Sequence, residues 1–242
     1  MTRAPGSGDP AGARAGYDAW HATLDVDGEA AAPWHLLVQK HLAPVAGRRV
    51  IEIGCGRGGF SAWLARQGAD VVAIDFSRVA IGKAAAFGRQ AGLAPLCFAV
   101  GDIQAIPHRS GAFDVAVSCE TVEHVSDPAR AVRELARVLR PGGRLYLTTP
   151  NYLGMMGLFR LYRRLTGRPY TEVGQPINNL TLLPRTCGWV RRAGLRIVAV
   201  AGVGHYLPVP GRPPVALPAL DRGPRVLRWL ALHSLVVAEK PR

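Results

Sequence analysis

The 242-residue chain carries 30 Lys and Arg against 17 Asp and Glu, a formal net charge of +13. Its length suits a single α/β domain with a full core and some extra elements, and no run of about 18 apolar residues marks a membrane-spanning helix. The N-terminus lacks the apolar centre of a signal peptide. Cys55, Cys97, Cys119 and Cys187 form no C-x-x-C pair, which argues against a disulfide framework or a zinc site and fits a reducing cytoplasm. Charge is uneven: residues 1–150 hold 16 basic and 14 acidic residues, whereas residues 151–242 hold 14 and 3. A C-terminal third so basic suggests a charged substrate, a lipid surface or RNA as partner, or else a solvated arginine-rich face.

Residues 1–16, rich in Gly, Ala and Pro, predict a disordered tail, and residues 17–242 a single domain. Tyr17-Asp18-Ala19-Trp20-His21 reads as a surface helix with two aromatic anchors. Pro33 opens a helix to about His41. Val50, Ile51 and Ile53 then form a buried parallel strand. The glycines from Gly54 to Gly59 let the backbone turn and approach a ligand closely, and Phe60, Trp63 and Leu64 begin a helix that Gly68 stops. Strand, glycine loop and helix make a nucleotide-binding turn. Gly54-x-Gly56-x-x-Gly59 matches the dinucleotide fingerprint, yet Glu52 would repel a pyrophosphate at the helix N-terminus. A cofactor carrying an ammonium and a sulfonium would instead be attracted by that acid. A partly buried acid hydrogen-bonded to loop N–H groups is the alternative role for Glu52.

Glu52-Ile53-Gly54-Cys55-Gly56-Arg57-Gly58 resembles the E/D-x-G-x-G-x-G motif of class I SAM-dependent methyltransferases, and the resemblance continues over roughly residues 33–200. It implies a Rossmann-like three-layer α/β sandwich with a seven-stranded, mostly parallel sheet whose last strand is antiparallel. It also implies S-adenosyl-L-methionine (SAM) as cofactor and S-adenosyl-L-homocysteine as product. In related enzymes the segment equivalent to residues 17–21 folds over the SAM site as a lid.

The second strand, Val71 to Ile74, ends in Asp75, 21 residues after Gly54. An acid there accepts both ribose hydroxyls of an adenosine, while Ser77 fits the following helix cap better than Asp75 does. Phe76 would pack on the adenine. The third strand, Leu96 to Val100, runs into Gly101-Asp102-Ile103. The resemblance implies that Asp102 accepts from the adenine amine and Ile103 covers the ring; an ordinary Asp cap is the plainer reading. The fourth strand, residues 113–118, delivers Cys119-Glu120-Thr121-Val122-Glu123-His124 at its carboxyl end, where function gathers in such sheets. The expected cofactor-binding set is Glu52, Gly54, Cys55, Gly56, Asp75, Phe76, Asp102, Ile103, Cys119 and Glu120. His124 is the leading general-base candidate because imidazole titrates near working pH; alternatively it is hydrogen-bonded near the cofactor and moves no proton. The same run resembles the E-V-L-E-H-V segment of ubiquinone-pathway O-methyltransferases, in which two acids and the histidine hold a divalent ion. That would give Glu120, Glu123 and His124 a metal, against the expectation of a metal-free site.

Pro128 to Leu139 forms an amphipathic helix, which Arg140-Pro141-Gly142-Gly143 breaks before a fifth strand over Leu145–Thr149. A basic amphipathic insertion follows at about residues 151–180. Its helix, 153–165, combines Met, Leu and Arg, which suits anionic lipid or a greasy substrate, or packing on the domain with snorkelling arginines. Residues 175–179 form a polar turn that could line a pocket. After a helix to Arg192 and a sixth strand over Leu195–Val200, His205 and Tyr206 reach toward the pocket, making His205 a second base candidate. A Pro-rich loop (207–224), a short helix (226–232) and a last strand (235–238) at the sheet edge complete the chain. The expected activity is SAM-dependent methylation of a small hydrophobic or anionic acceptor, foremost O-methylation of a phenol, quinone precursor or natural-product intermediate. The protein would be cytoplasmic, with peripheral membrane contact through 153–165. RNA methylation, SAM binding without chemistry and NAD-dependent oxidoreduction are the alternatives. Nucleic acid is disfavoured because no RNA-binding module or stacking platform is recognisable.

Overall fold

The computed structural model describes residues 10–25, 30–93, 96–167, 175–209 and 214–242. In chain order the elements are α1 (Pro10–Ala22), α2 (Pro33–His41), β1 (Arg49–Ile53), α3 (Gly59–Arg66), β2 (Asp70–Asp75), α4 (Arg78–Gln90), β3 (Leu96–Val100) and β4 (Phe113–Cys119). Then follow a 3-10 turn (Val122–His124), α5 (Pro128–Val138), β5 (Leu139–Pro150), α6 (Met155–Leu165), α7 (Leu183–Arg192) and β6 (Arg196–Val203). The chain continues through a two-residue ribbon, β7 (Tyr206–Leu207) with β8 (Val215–Ala216), to α8 (Pro218–Asp221), a 3-10 turn (Arg225–Trp229) and β9 (His233–Glu239).

Seven strands form one sheet in the order β3-β2-β1-β4-β5-β9-β6. Neighbours from β3 to β5 are parallel, and β9 is antiparallel to both β5 and β6. The period-two alternation of strand residues divides the core. Val50, Val71, Val117, Tyr146 and Leu235 face Leu37 and Val38 of α2 and Phe60 and Leu64 of α3. On the opposite face Ile51, Ile74, Ala116, Leu147 and Val236 meet Val132 and Leu135 of α5 and Leu183 and Val190 of α7. The three-layer α/β sandwich expected from the sequence is therefore present.

Three expectations change. β9 lies inside the sheet, and β6 holds the edge. Their burial agrees: Ser234 to Ala238 are all buried, as a strand covered on both faces requires, whereas β6 alternates between exposed and partly covered positions over Arg196–Ala199. Residues 10–16 are helical and not a disordered tail; residues 1–9 lie outside the described residues. The Arg140–Gly143 run falls within β5, where a register irregularity between Phe113 and Val115 absorbs it. Part of the insertion expected at 151–180, residues 168–174, and part of the Pro-rich loop, residues 210–213, also lie outside the described residues.

Candidate active site

A cavity of about 640 Å³ opens at the carboxyl ends of the parallel strands, the expected position for a ligand in such a sheet. Its floor is the glycine loop. Gly54, Gly56 and Gly58 all have positive φ, at 78°, 53° and 84°. Gly54 is the most constrained, because a Cβ there would lie 2.1 Å from Thr121 Oγ1. Alternation along β1 turns Glu52 to the α3 face, where the Ser61 hydroxyl donates to its Oε2. Burial pushes the Glu52 carboxyl up to about 7, with Ser61 pulling it down and nearby Asp75 adding to the rise. The partner is a side chain of α3, not the loop N–H groups that the sequence alone suggests. Cys55 is buried, and burial raises its thiol pKa well above the ordinary range.

Asp75 braces the loop from β2. Its Oδ2 accepts from Gly56 N–H and its Oδ1 from Ser77 N–H, both at 2.8 Å. Burial pushes this carboxyl up, against the Ser77 N–H, the His21 ring and the Gly56 N–H, which favour its charged form. Ser77 caps α4 by accepting from Ala80 N–H at 3.1 Å. Asp102 closes an Asx turn, with Gln104 N–H donating to its Oδ1 at 2.8 Å, and Ile103 is buried beside it. Phe76, Asp102 and Ile103 line the cavity with Glu52, Cys55 and Asp75. An apolar slot flanked by buried acids fits a neutral base, a ribose and a cationic amino-acid end, and Glu52 beside the loop disfavours a pyrophosphate there.

α1 covers this end. Tyr17, Trp20 and His21 line the cavity, and the Arg14 guanidinium lies 4.4 Å above the Phe76 ring. The Tyr17 hydroxyl donates to His124 O at 3.0 Å, and burial raises its pKa.

At the end of β4 the chain makes a sharp exception to backbone preference. Glu120 has φ 47°, a left-handed conformation that costs a non-glycine residue about 1–3 kcal/mol. The backbone is held there by two bonds from Glu120 N–H, to Thr148 O at 3.2 Å and to Thr148 Oγ1 at 3.1 Å. Cys119 just before it is buried, and burial lifts its thiol well above the usual range. His124 lines the cavity, but its ring is engaged: Nδ1 donates to Ile177 O at 2.8 Å, and Nε2 lies 3.5 Å from Glu123 Oε1. Glu120, Glu123 and His124 all line the cavity, but Glu120 Oε2 is taken up by His233 Nδ1 at 3.2 Å. Among the described residues no group of three or more His, Cys, Asp or Glu could hold a metal.

His205 does not reach the cavity. Gly204 turns the chain under α8, where Asp221 Oδ1 takes Gly204 N–H at 2.9 Å and His205 Nδ1 at 2.7 Å, while His205 Nε2 meets Leu227 O at 2.9 Å. It is a buried structural histidine. In its place the structure brings His233 to the wall. Its Nδ1 lies 3.2 Å from Glu120 Oε2 and its ring 5.0 Å from that of Trp34. Trp34, His35, Tyr152, Met156 and Leu232 complete an aromatic and apolar side. Sequence reasoning missed His233 because β9 is antiparallel: its first residue, paired with Pro150, meets the edge where the parallel strands end. Gln175 and Ile177 of the polar turn line the cavity as expected.

A family described as a methyltransferase domain matches residues 51–147. The ubiquinone biosynthesis O-methyltransferase of Ralstonia nicotianae is 32% identical over 183 residues, 70% of this chain and 71% of that protein. The enzyme of the same name from Methylococcus capsulatus is 31% identical over 204 residues, 79% of this chain and 83% of that protein. A solved S-adenosylmethionine-dependent methyltransferase from Mesorhizobium loti shares the fold at a TM-score of 0.64 and 21% identity, over 87% of this chain and 99% of that one. The glycine loop and its bracing acids thus have a cofactor that suits them, and the chain belongs to the SAM-dependent methyltransferase family.

Proposed function

We propose that the chain O-methylates a small, hydrophobic, phenolic acceptor. The observation that carries this reading is the two-sided cavity. Acids and backbone gather at the glycine loop, whereas Trp34, Tyr152, Met156 and Leu232 line the other side. The similarity to proteins named ubiquinone biosynthesis O-methyltransferase supports the same class of acceptor.

Bound SAM supplies an electrophilic methyl on a sulfonium. Glu52 would hold its ammonium, Asp75 its ribose hydroxyls and Asp102 the adenine amine, with Phe76 and Ile103 offering apolar surface to the base. Gly54, Cys55 and Gly56 give backbone contact, and Cys119 closes the floor. These residues would hold the donor for attack by an acceptor oxygen, and alignment of such a pair supplies much of the rate.

The acceptor enters beside α6. Leu158 and Leu165 on this helix are 67% and 77% exposed, and Arg163 and Arg164 follow in its last turn. An apolar stripe with adjacent arginines favours the surface of an anionic membrane, from which a greasy acceptor is drawn. No helix among the described residues is long and apolar enough to cross a membrane.

Titration calorimetry with SAM, S-adenosylhomocysteine and NADH in parallel tests the cofactor side. Binding of the first two alone is expected. Methylation of catechols and alkyl phenols, with and without anionic vesicles, tests the acceptor. Transfer to amines only would overturn the phenolic reading.

A further inference from the structure

Glu120 and His233 are 113 residues apart in sequence and meet on one wall of the cavity. We infer that His233 is the general base that takes the acceptor proton and that Glu120 is its positioning residue; this rests on the phenolic reading above.

The geometry fixes the tautomer. A carboxylate accepts and does not donate, so with Nδ1 3.2 Å from Glu120 Oε2 the ring proton is on Nδ1 and the lone pair on Nε2. Nε2 has no hydrogen-bond partner among the described residues, and the ring lines the cavity. The other candidates are arranged differently. Both nitrogens of His124 face acceptors, Ile177 O and Glu123 Oε1, and both of His205 do so outside the cavity. His35 stacks on Phe60 at 4.7 Å, and His21 packs against the glycine loop, its Cε1 3.7 Å from where a Cβ on Gly56 would lie.

Glu120 has the marks of a residue placed for its side chain. Its backbone is in a left-handed conformation that glycine would adopt freely, clamped by Thr148 on the neighbouring strand. Its Oε1 is buried with no hydrogen-bond partner.

In the step, the acceptor O–H proton passes to His233 Nε2 while the oxygen forms its bond to the methyl carbon. The carbon–sulfur bond breaks and its electron pair stays on sulfur, leaving the neutral thioether. The imidazolium, paired with Glu120, returns the proton to solvent.

The test uses the full chain as wild type, His233→Asn and Glu120→Gln, with catechol and a nitro-substituted catechol that is already ionised near neutral pH. Asparagine keeps a donor for Glu120 and removes the base. His233→Asn is expected to lose about 10²–10⁴-fold in kcat with catechol and less than about tenfold with nitrocatechol, with calorimetric S-adenosylhomocysteine affinity within about threefold of wild type. Glu120→Gln can donate from its amide to Nδ1, so ¹⁵N NMR is expected to show the His233 proton moved to Nε2, with the same acceptor-dependent loss. An active wild type whose variants lose the same factor with both acceptors overturns the dyad alone. A wild type that binds SAM and methylates no phenol overturns the acceptor reading, and the dyad with it.

Discussion

Asp18 Oδ1 accepts a 2.6 Å hydrogen bond from the Ser77 hydroxyl, and this ties α1 to the residue that caps α4. Val79 N–H donates to the same oxygen at 3.2 Å. Lys83, one turn along α4, donates from Nζ to His21 O, Ala22 O and Leu24 O at 3.0, 3.1 and 2.6 Å, covering the C-terminal carbonyls of α1. α1 is thus fastened at its middle and its end over the cofactor side of the cavity. The double variant Asp18→Ala, Lys83→Met removes both attachments, each worth about 1 kcal/mol. Stopped-flow release of S-adenosylhomocysteine should quicken by about tenfold or more, and amide exchange over residues 11–22 should lose protection. Unchanged release would mean that α1 does not gate the cofactor.

Glu52 makes stability and binding depend on pH in opposite senses. Its folded pKa, raised by burial to about 7, lies above the ordinary 4.5. The stability it contributes is therefore complete below 4.5 and lost as pH rises through 7, a change of roughly 3 kcal/mol across that window. Glu52→Gln should flatten urea-unfolding stability between pH 4.5 and 7.5. A bound ammonium favours the ionised acid, so SAM binding to wild type at pH 6.5 should release a proton. Calorimetry in buffers of different ionisation enthalpy would detect it, and Glu52→Gln should bind without that release.

Gly54→Ala combines a φ of 78° with a Cβ placed 2.1 Å from Thr121 Oγ1. The expected cost is about 3 kcal/mol in chemical unfolding, from backbone strain and overpacking together. SAM affinity should fall with it. Trimming the obstacle with Thr121→Ala should recover part of the stability, whereas a purely backbone effect would recover none.

Leu158→Ser with Leu165→Ser tests the exposed face of α6. Each change removes about 1 kcal/mol or more of apolar burial at a membrane surface, so co-sedimentation with anionic vesicles should weaken by about tenfold or more. Turnover of a short, water-soluble acceptor should be unaffected, because neither side chain lines the cavity. Equal binding of the variant and wild type would remove α6 from any membrane contact.

What was legible in the sequence is what local backbone chemistry dictates. A strand of Val50, Ile51 and Ile53 followed by glycines specifies the loop, Asp75 at the end of β2 has its position from the strand, and Ser77 announces its helix cap. Glu52 was legible as an acid at the loop but not in its bond to Ser61, because that contact needs the face on which α3 packs. Other features needed the fold itself. His233 reaches the site through antiparallel insertion of β9, and Glu120 turns toward it through a φ that no glutamate prefers. His205 has a favourable sequence position, but Asp221 and Leu227 hold it in the interior. The first half of α1 reads as a tail because its Gly and Pro content argues against an isolated helix. Its docking contacts, through Arg14, Tyr17 and Asp18, are all long-range.

The interior position of β9 also orders assembly in time. Strands β1 to β5 can pair as their sequence emerges, but among the described residues β6 has only β9 as a sheet neighbour and must wait for it. During synthesis β5 therefore presents an open edge for more than eighty residues of further chain. Such an edge invites association with other strands until residues 233–239 fill it. The same late event that completes the sheet brings His233 to Glu120, so a nascent chain has its cofactor loop well before it has both members of that pair.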